Sequence, residues 1–483
     1  MKNTILNIFI YAVLGVMLFG CTKDFKEINT NPNAYATAPL TNVLAYSIRY
    51  VCDNLFNPWA DMNEPSTYAG HLAKQQYIDE ARYVFRPTVV ANNWHYLYIT
   101  MNNLRDIQKR ATKEGAANMV AAAQIWEAVI VQMGTDRWRD LPYSEACRID
   151  EGILTPKYDK QEEIYPALMA LLKSAGASMG ASHDELGSGD ILYKGKTAQW
   201  KMLANSLRLR MALRIANANP SLAKQVAEEA STQPLIKTNA DNAFFWWPDD
   251  PNYYEPWYDD SRSRSDHCCS DILINVLKEL EDPRLPVYAH KNGNGEYQGC
   301  EIGGPNTITP GWQTNYSQIG ARFRDQATGF SAIYRAAETY FHLAEAAARG
   351  WNVGISAQEA YNQAVTLSCE ENEVDAVAYL TGKAAFDGTL DQIYLQEWIA
   401  LFKQGMEAWS LYRKTGIPTT HHIASFLDAA GYSGKGHNTP PLRYPYPEVE
   451  ATLNGANSEA ARKSVIDDFW GTPMWFDTRP GVK

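Results

Sequence analysis

Beyond residue 21 the 483-residue chain never strings together the roughly 18 apolar residues that a membrane-spanning helix needs, so no later spanning segment is expected. Positive charge is in short supply. Lys and Arg number 44 against 55 Asp and Glu, a formal net charge of −11, which sets nucleic acid aside as a partner. Cysteine is sparse and unpatterned: Cys52, Cys147, Cys268, Cys269, Cys300 and Cys369 make no CxxC spacing, so a zinc cluster has no support. In an oxidising exterior some of these would pair, and adjacent Cys268 and Cys269 leave the pairing open. HExxH and a phosphate-cradling glycine loop are both missing, and with them two common catalytic signatures. No Gly/Ser or Pro-rich linker divides residues 41–483, which are expected to form one unit.

What is present begins at the first residues. Lys2 and the apolar run Ile5–Phe19 read as a secretory signal over residues 1–20. Leu18-Phe19-Gly20-Cys21 then places a small residue before a cysteine, the pattern of a lipoprotein cleavage site, so Cys21 is the expected lipidation site. Several acyl chains on one residue, at about 0.8 kcal/mol per buried methylene, make a stable anchor. Residues 21–40, polar and rich in Asn and Pro between Phe25 and Asn33, read as the tether. The protein is expected to sit on a membrane, outside the cytoplasm.

Helical periodicity is strong. From Trp94 to Arg110 the residues Leu97, Met101, Leu104 and Ile107 recur every three or four positions. Ala122, Ile125, Trp126, Val129 and Met133 do the same, and the two stretches predict a helical hairpin. Asp159 with Glu162 reads as a capping box opening a helix through Ile164, Leu168 and Leu172, with Thr197–Ala216 as its partner. Tyr334–Gly350 predicts a further helix, Ser356 with Glu359 caps the next, and Thr389 with Gln392 caps one more. The fold class is mainly α, made of tetratricopeptide-like hairpins, although no consensus repeat is visible. Between about 235 and 330, Gly, Pro, Asn and aromatics crowd together and Asn292-Gly293 signals a turn. A long irregular, aromatic-rich insertion carried on the helical scaffold is expected there.

Several ordered stretches carry a family resemblance. NTNPN (Asn29–Asn33), DRWRDLPYSEA (Asp136–Ala146), KYDKQEEIY (Lys157–Tyr165) and WKMLANSLRLRMALRI (Trp200–Ile215) resemble the SusD/RagB nutrient-binding lipoproteins of Bacteroidetes. DPRLPVYA (Asp282–Ala289), YFHLAEAAARGW (Tyr340–Trp351), QEWIALFKQGMEAWSLYRKTGIP (Gln396–Pro418) and LRYPYPEVEATLN (Leu442–Asn454) follow in the family's order, so the resemblance spans nearly the whole chain. It implies an all-α fold of four tetratricopeptide-like helix pairs, no catalytic centre, and capture of oligosaccharides, or in some members peptides, at the outer-membrane surface. It also implies a partner, a TonB-dependent SusC-like outer-membrane transporter that the protein caps as a lid and supplies with ligand. The matching motifs belong to the scaffold and leave the ligand open.

The richest recognition stretch is FFWWPDDPNYYEPWY, Phe244–Tyr258. Sugars present apolar C–H faces to flat rings and hydroxyls to fixed polar groups, and this stretch supplies both. Tyr253, Tyr254, Trp257 and Tyr258, with Arg264 close behind, lie among Pro and Asp in what reads as loop. Trp312 and Tyr316 form a second loop cluster, and Trp59 heads a third aromatic region before the first clear helix. Phe244–Trp247 reads instead as a buried strand wedging the insertion onto the helices, and a lone aromatic such as Trp59 is more often packed than displayed. No cofactor is called for; the Asp-rich loop leaves room for a calcium ion without requiring one.

Charge pairs complete the reading. In the 136–146 motif, Arg137 or Arg139 with Asp136, Asp140 or Glu145 predict a structural ion-pair network. Glu397 and Glu407 open a second reading, the acid and base of a surface glycoside hydrolase, but no spacing supports it and a buried or capping salt bridge is expected. His421-His422 is a weak metal hint. A structural envelope lipoprotein with no small ligand is the third reading.

Overall fold

Leu44, Ile48, Val51 and Leu55 recur at helical spacing along Leu40–Leu55 (α1), and that stripe is buried where α1 packs on Pro87–Glu114 (α2). The structure is a computed structural model and describes residues 38–304, 314–424, 437–465 and 469–482. Helix α2 buries the Leu97, Met101, Leu104 and Ile107 stripe and stops at Gly115, whose φ of 72° lets its N–H reach back to the Ala111 and Thr112 carbonyls. The chain then turns at once into Ala117–Trp138 (α3), which is buried on nearly every face because α2 and Gln161–Ser178 (α4) flank it. Helix α4 pairs with Thr197–Arg214 (α5), and α5 also receives Pro220–Ser231 (α6). Close approach of α4 and α5 is permitted by Gly176, where a Cβ would lie 3.3 Å from that of Ala204.

Helix α4 begins one residue later than the Asp159–Glu162 spacing predicts. Glu163 reaches back to accept the Lys160 N–H at 3.2 Å, while the Asp159 carboxylate takes the N–H groups of Tyr143 and Ser144 and the Ser144 hydroxyl. Asp159 was free to do this because a carboxylate binds any nearby cluster of donors, and here the 141–146 bend presents more of them than the helix start.

Residues 235–330 are more ordered than their composition predicts. Short strands Leu72–Lys74 (β1), Ala243–Trp246 (β2), His267–Cys269 (β3) and Phe330–Tyr334 (β4) pair antiparallel as β1 with β3 and β2 with β4. Between them lie the helices Pro256–Ser261 (α7) and Asp271–Glu279 (α8). Phe244, Phe245 and Trp247 are buried and Phe244 stacks on Phe330 with centroids 4.4 Å apart, whereas Trp246, which the buried-strand reading included, is 58% exposed. The Asn292 side chain closes the 292–296 turn by accepting the N–H groups of Asn294 and Glu296.

Two more hairpins follow, Ala336–Ala348 (α9) with Ala357–Glu371 (α10), and Leu390–Ala400 (α11) with Gly405–Thr415 (α12). The Ser356–Glu359 capping box forms in both directions, each bond 3.2 Å. Thr389 caps its helix by accepting the Gln392 N–H at 3.2 Å, but the Gln392 side chain turns to Asp387 and Ala385 instead of completing a box.

Where α3, α5, α9 and α12 converge the core is charged. Asp136 accepts from Arg214 at 2.8 Å and from the Tyr165 hydroxyl at 2.6 Å; Glu407 pairs with Arg214 and Arg210, and Arg210 reaches Glu338 at 2.6 Å. Burial works to raise the Glu407 carboxyl, but Arg210 and Arg214 outweigh it and hold the group below the usual range. Arg137 and Arg139 stay out of this buried network, although Arg139 makes one of the pairs that the 136–146 motif predicts. Arg137 donates to the Ala60 carbonyl at 3.1 Å, and Arg139 pairs with its neighbour Asp140 at 3.1 Å. Among the described residues no helix is long and apolar enough to cross a membrane.

Candidate functional site

Trp59 stands on a turn with little freedom. The Asn57 Oδ1 accepts the N–H groups of Trp59 at 3.0 Å and Ala60 at 2.9 Å, and Pro58 fixes the first residue of the turn Pro58–Met62. Gly405, which opens α12, backs the turn so closely that a Cβ there would collide with Asp61 and Ser66. Below the turn, burial drives the Asp61 carboxyl up to about 7 against the pull of Arg137 and the Ser66 hydroxyl.

On this support Trp59 is 55% exposed and forms the shared wall of two clefts. One, of about 470 Å³, is lined by Phe85, Arg86, Asn93 and Tyr96; the other, of about 490 Å³, by Arg49, Tyr253, Tyr254 and Arg262. Aromatics extend the surface: exposed Tyr46 stacks on half-buried Tyr50 at 5.1 Å, and Tyr50 meets half-buried Tyr96 edge-on at 5.7 Å. In the second cleft the Arg49 guanidinium lies 3.4 Å from the Tyr253 ring centroid while pairing with Asp53 at 3.2 Å. Arg262 lies 4.5 Å from the Tyr254 ring and pairs with Asp259 at 2.9 Å. Such exposed pairs add little stability; their consequence is to hold guanidiniums over tyrosine rings. In the first cleft Asn93 is buried with its Nδ2 lacking a hydrogen-bond partner. A buried unsatisfied donor costs about 1–3 kcal/mol, which an acceptor on a ligand would recover.

Of the residues that the sequence singles out, the structure brings Trp59 and Tyr254 together at these clefts, with Tyr258 edge-on to Tyr254 at 5.3 Å. Arg264 turns to Asp266 and lies 4.9 Å from the Tyr77 ring, lining neither cleft, and half-buried Tyr316 packs against the core. Trp257 departs from the loop reading. It is the second residue of α7, 2% exposed, edge-on to Phe402 and with the Lys403 ammonium 5.0 Å from its ring, so its faces are taken by the protein. Trp312 and Cys21 lie outside the described residues. Arg49, Tyr50, Asn93 and Tyr96 escape sequence reasoning, although the tyrosines fall off the apolar stripes of α1 and α2, where an aromatic is out of place.

The carboxylates of the hydrolase reading are both buried. Glu397 pairs with His342 at 3.1 Å and Glu407 with two arginines, and the space that both line measures about 10 Å³, room for a water at most. His421 bonds the Tyr68 carbonyl at 2.9 Å and His422 bonds Asp271 at 3.2 Å; among the described residues no cluster of His, Cys, Asp or Glu would hold a metal ion. The six cysteines from Cys52 to Cys369 carry free thiols.

Residues 32–447 match the family model for SusD-like proteins described as starch-binding, associating with the outer membrane. The chain belongs to the SusD-like family. Proteins of this family bind glycans in association with the outer membrane and are not catalysts. Among solved structures, a chitin-binding SusD homolog from Flavobacterium johnsoniae is 27% identical, with 90% of this chain and 98% of that one covered and a TM-score of 0.78. A SusD homolog from Bacteroides uniformis is 25% identical over 90% of this chain and 99% of its own, with a TM-score of 0.79. One from Bacteroides thetaiotaomicron, 24% identical over 92% and 100% with a TM-score of 0.77, speaks for the fold alone. A search of curated proteins finds no match. The mainly helical architecture of paired helices is thus the SusD-like fold.

Proposed function

We propose that this SusD-like protein captures oligosaccharides at the cell surface and delivers them to a TonB-dependent SusC-like transporter, held in place by acyl chains on Cys21. The observation that carries the reading is the exposed Trp59 ring between two clefts rimmed by amides and guanidiniums. A pyranose offers its C–H face to the indole and its hydroxyls to Asn93, Arg86 and Arg49. Family membership supports the same ligand class, and the chitin-binding relative makes N-acetylated glycans the first to try beside starch fragments. Peptides are the second ligand class. With no spanning helix among its described residues, a protein held on the membrane surface hands its polar ligand to something that does cross, and a shared membrane raises the effective concentration of the pair.

Calorimetry with maltohexaose, chitohexaose and a peptide panel tests the ligand. Trp59→Ala is expected to weaken glycan binding by about 1–3 kcal/mol, roughly five- to a hundredfold, with an unchanged circular dichroism spectrum. Unaltered affinity in that variant would remove the site. For the anchor, Cys21→Ala should abolish palmitate incorporation and release the protein from membranes; continued labelling would refute it. Crosslinking in intact cells should recover a TonB-dependent barrel, and recovery of the protein alone with normal uptake in a deletion strain would reject the partner.

A further inference from the structure

A third cleft, of about 580 Å³, shares no lining residue with the two beside Trp59. Paired strands β2 and β4 build one wall, setting Trp246 opposite Phe330 with ring centroids 5.2 Å apart and leaving Trp246 58% exposed. Arg322 lies 5.5 Å from the Phe330 ring and 4.0 Å from the Glu373 carboxylate. Two buried polar atoms of the lining residues have no hydrogen-bond partner, the Arg322 Nε and the Asn372 Oδ1. Asn372 is 5% exposed, and its Nδ2 donates to the Ser368 carbonyl at 2.8 Å, which fixes the amide and leaves the oxygen as its open end.

One of these atoms is a donor and the other an acceptor, and that pairing selects the ligand. An anion would suit Arg322 but oppose the Asn372 oxygen and Glu373; a cation would do the reverse. A hydroxyl both donates and accepts, and a ring bearing several hydroxyls also has a C–H face for Trp246. We propose that this cleft is a second saccharide site, distinct from the Trp59 clefts, that takes a neutral pyranose unit. Trp246 stacks on the ring, the Arg322 Nε–H donates to one hydroxyl, and the Asn372 Oδ1 accepts from another.

The test uses the full chain labelled with 5-fluorotryptophan, in a detergent without sugar headgroups, and carrying Trp59→Ala to silence the first site. The Trp246 fluorine resonance, identified by its loss in Trp246→Phe, is followed during titration with maltohexaose, chitohexaose and oligogalacturonate. The expected result is a saturable shift with maltohexaose or chitohexaose and none with oligogalacturonate. Arg322→Lys, which keeps the charge and removes the Nε donor, should weaken that binding at least fivefold. A resonance unmoved by millimolar neutral glycans, one moved only by oligogalacturonate, or an unchanged affinity in Arg322→Lys would each overturn the proposal.

Discussion

Asn57-Pro58-Trp59 and Glu255-Pro256-Trp257 are nearly the same local device with opposite outcomes. Each sets a proline at the first position of a helical turn, caps it with the preceding side chain, and places tryptophan next; yet Trp59 is 55% exposed and Trp257 2%. The difference lies in what the capping residue can reach. Glu255 accepts the Tyr258 N–H at 2.9 Å and also pairs with the buried Lys403 ammonium at 3.0 Å, which draws α7 onto Phe402 and covers the indole. Asn57 is neutral and its cap is purely local, so no such pair pulls the Trp59 turn inward. Local sequence makes the turn; a distant charge decides whether its ring is packed or displayed.

The largest effects should come from the packed member. Trp257→Ala is expected to destabilise the protein by about 3–5 kcal/mol in urea denaturation, because a buried indole leaves a cavity. Glu255→Gln should cost a similar amount, about 3–5 kcal/mol, since it leaves Lys403 buried without its counter-charge. Trp59→Ala should stay within about 0.5 kcal/mol of wild type in the same assay while losing affinity. Stability loss at Trp59 with none at Trp257 would invert the comparison.

An effect of the same order or smaller concerns the floor of the Trp59 turn. Burial raises the Asp61 carboxyl from 3.8 to about 7 in the folded protein, so the fold favours its protonated form. The stability this group contributes is therefore fully present below about pH 3.8 and is lost as pH rises through about 7. Over that window the loss is on the order of a few kcal/mol. Asp61→Asn does not titrate, so its advantage over wild type should grow between pH 4 and pH 8. A difference that stays constant with pH would show that Asp61 is ionised throughout.

How much of this was legible in the sequence follows the range of each interaction. The α2 and α3 hairpin can be read from the spacing of Leu97, Met101, Leu104 and Ile107, because each of these residues faces a neighbour only a few positions away in the chain. Asp136 is recognisable as an ion-pair former, but its partner is Arg214, and Arg214 shares Glu407; no local pattern links positions so far apart. Trp257 reads as loop because Pro and Asp surround it, and the pair that buries it, Glu255 with Lys403, is equally beyond any local pattern. Trp59 is visible as an aromatic, whereas nothing local shows that Asn93, on the buried stripe of α2, and Tyr96, off it, line the same cleft.

The smallest effect sharpens the comparison from the displayed side, at Tyr253. Its ring is 40% exposed and carries the Arg49 guanidinium 3.4 Å from its centroid. A cation–π contact at an exposed site is worth about 0.5–1 kcal/mol, too little to hold the loop but enough to orient a ring. If the cleft on that side belongs to the same site as Trp59, Tyr253→Ala should weaken oligosaccharide binding by roughly two- to fivefold, following that energy, and Tyr253→Phe should retain it. Stability should change by less than about 1 kcal/mol in both, because Arg49 keeps its pair with Asp53 at 3.2 Å. Calorimetry with the best glycan distinguishes the outcomes. Equal affinity for Tyr253→Ala and wild type, alongside lost affinity in Trp59→Ala, would confine recognition to the cleft lined by Phe85, Asn93 and Tyr96 and leave the Arg49 side as scaffold.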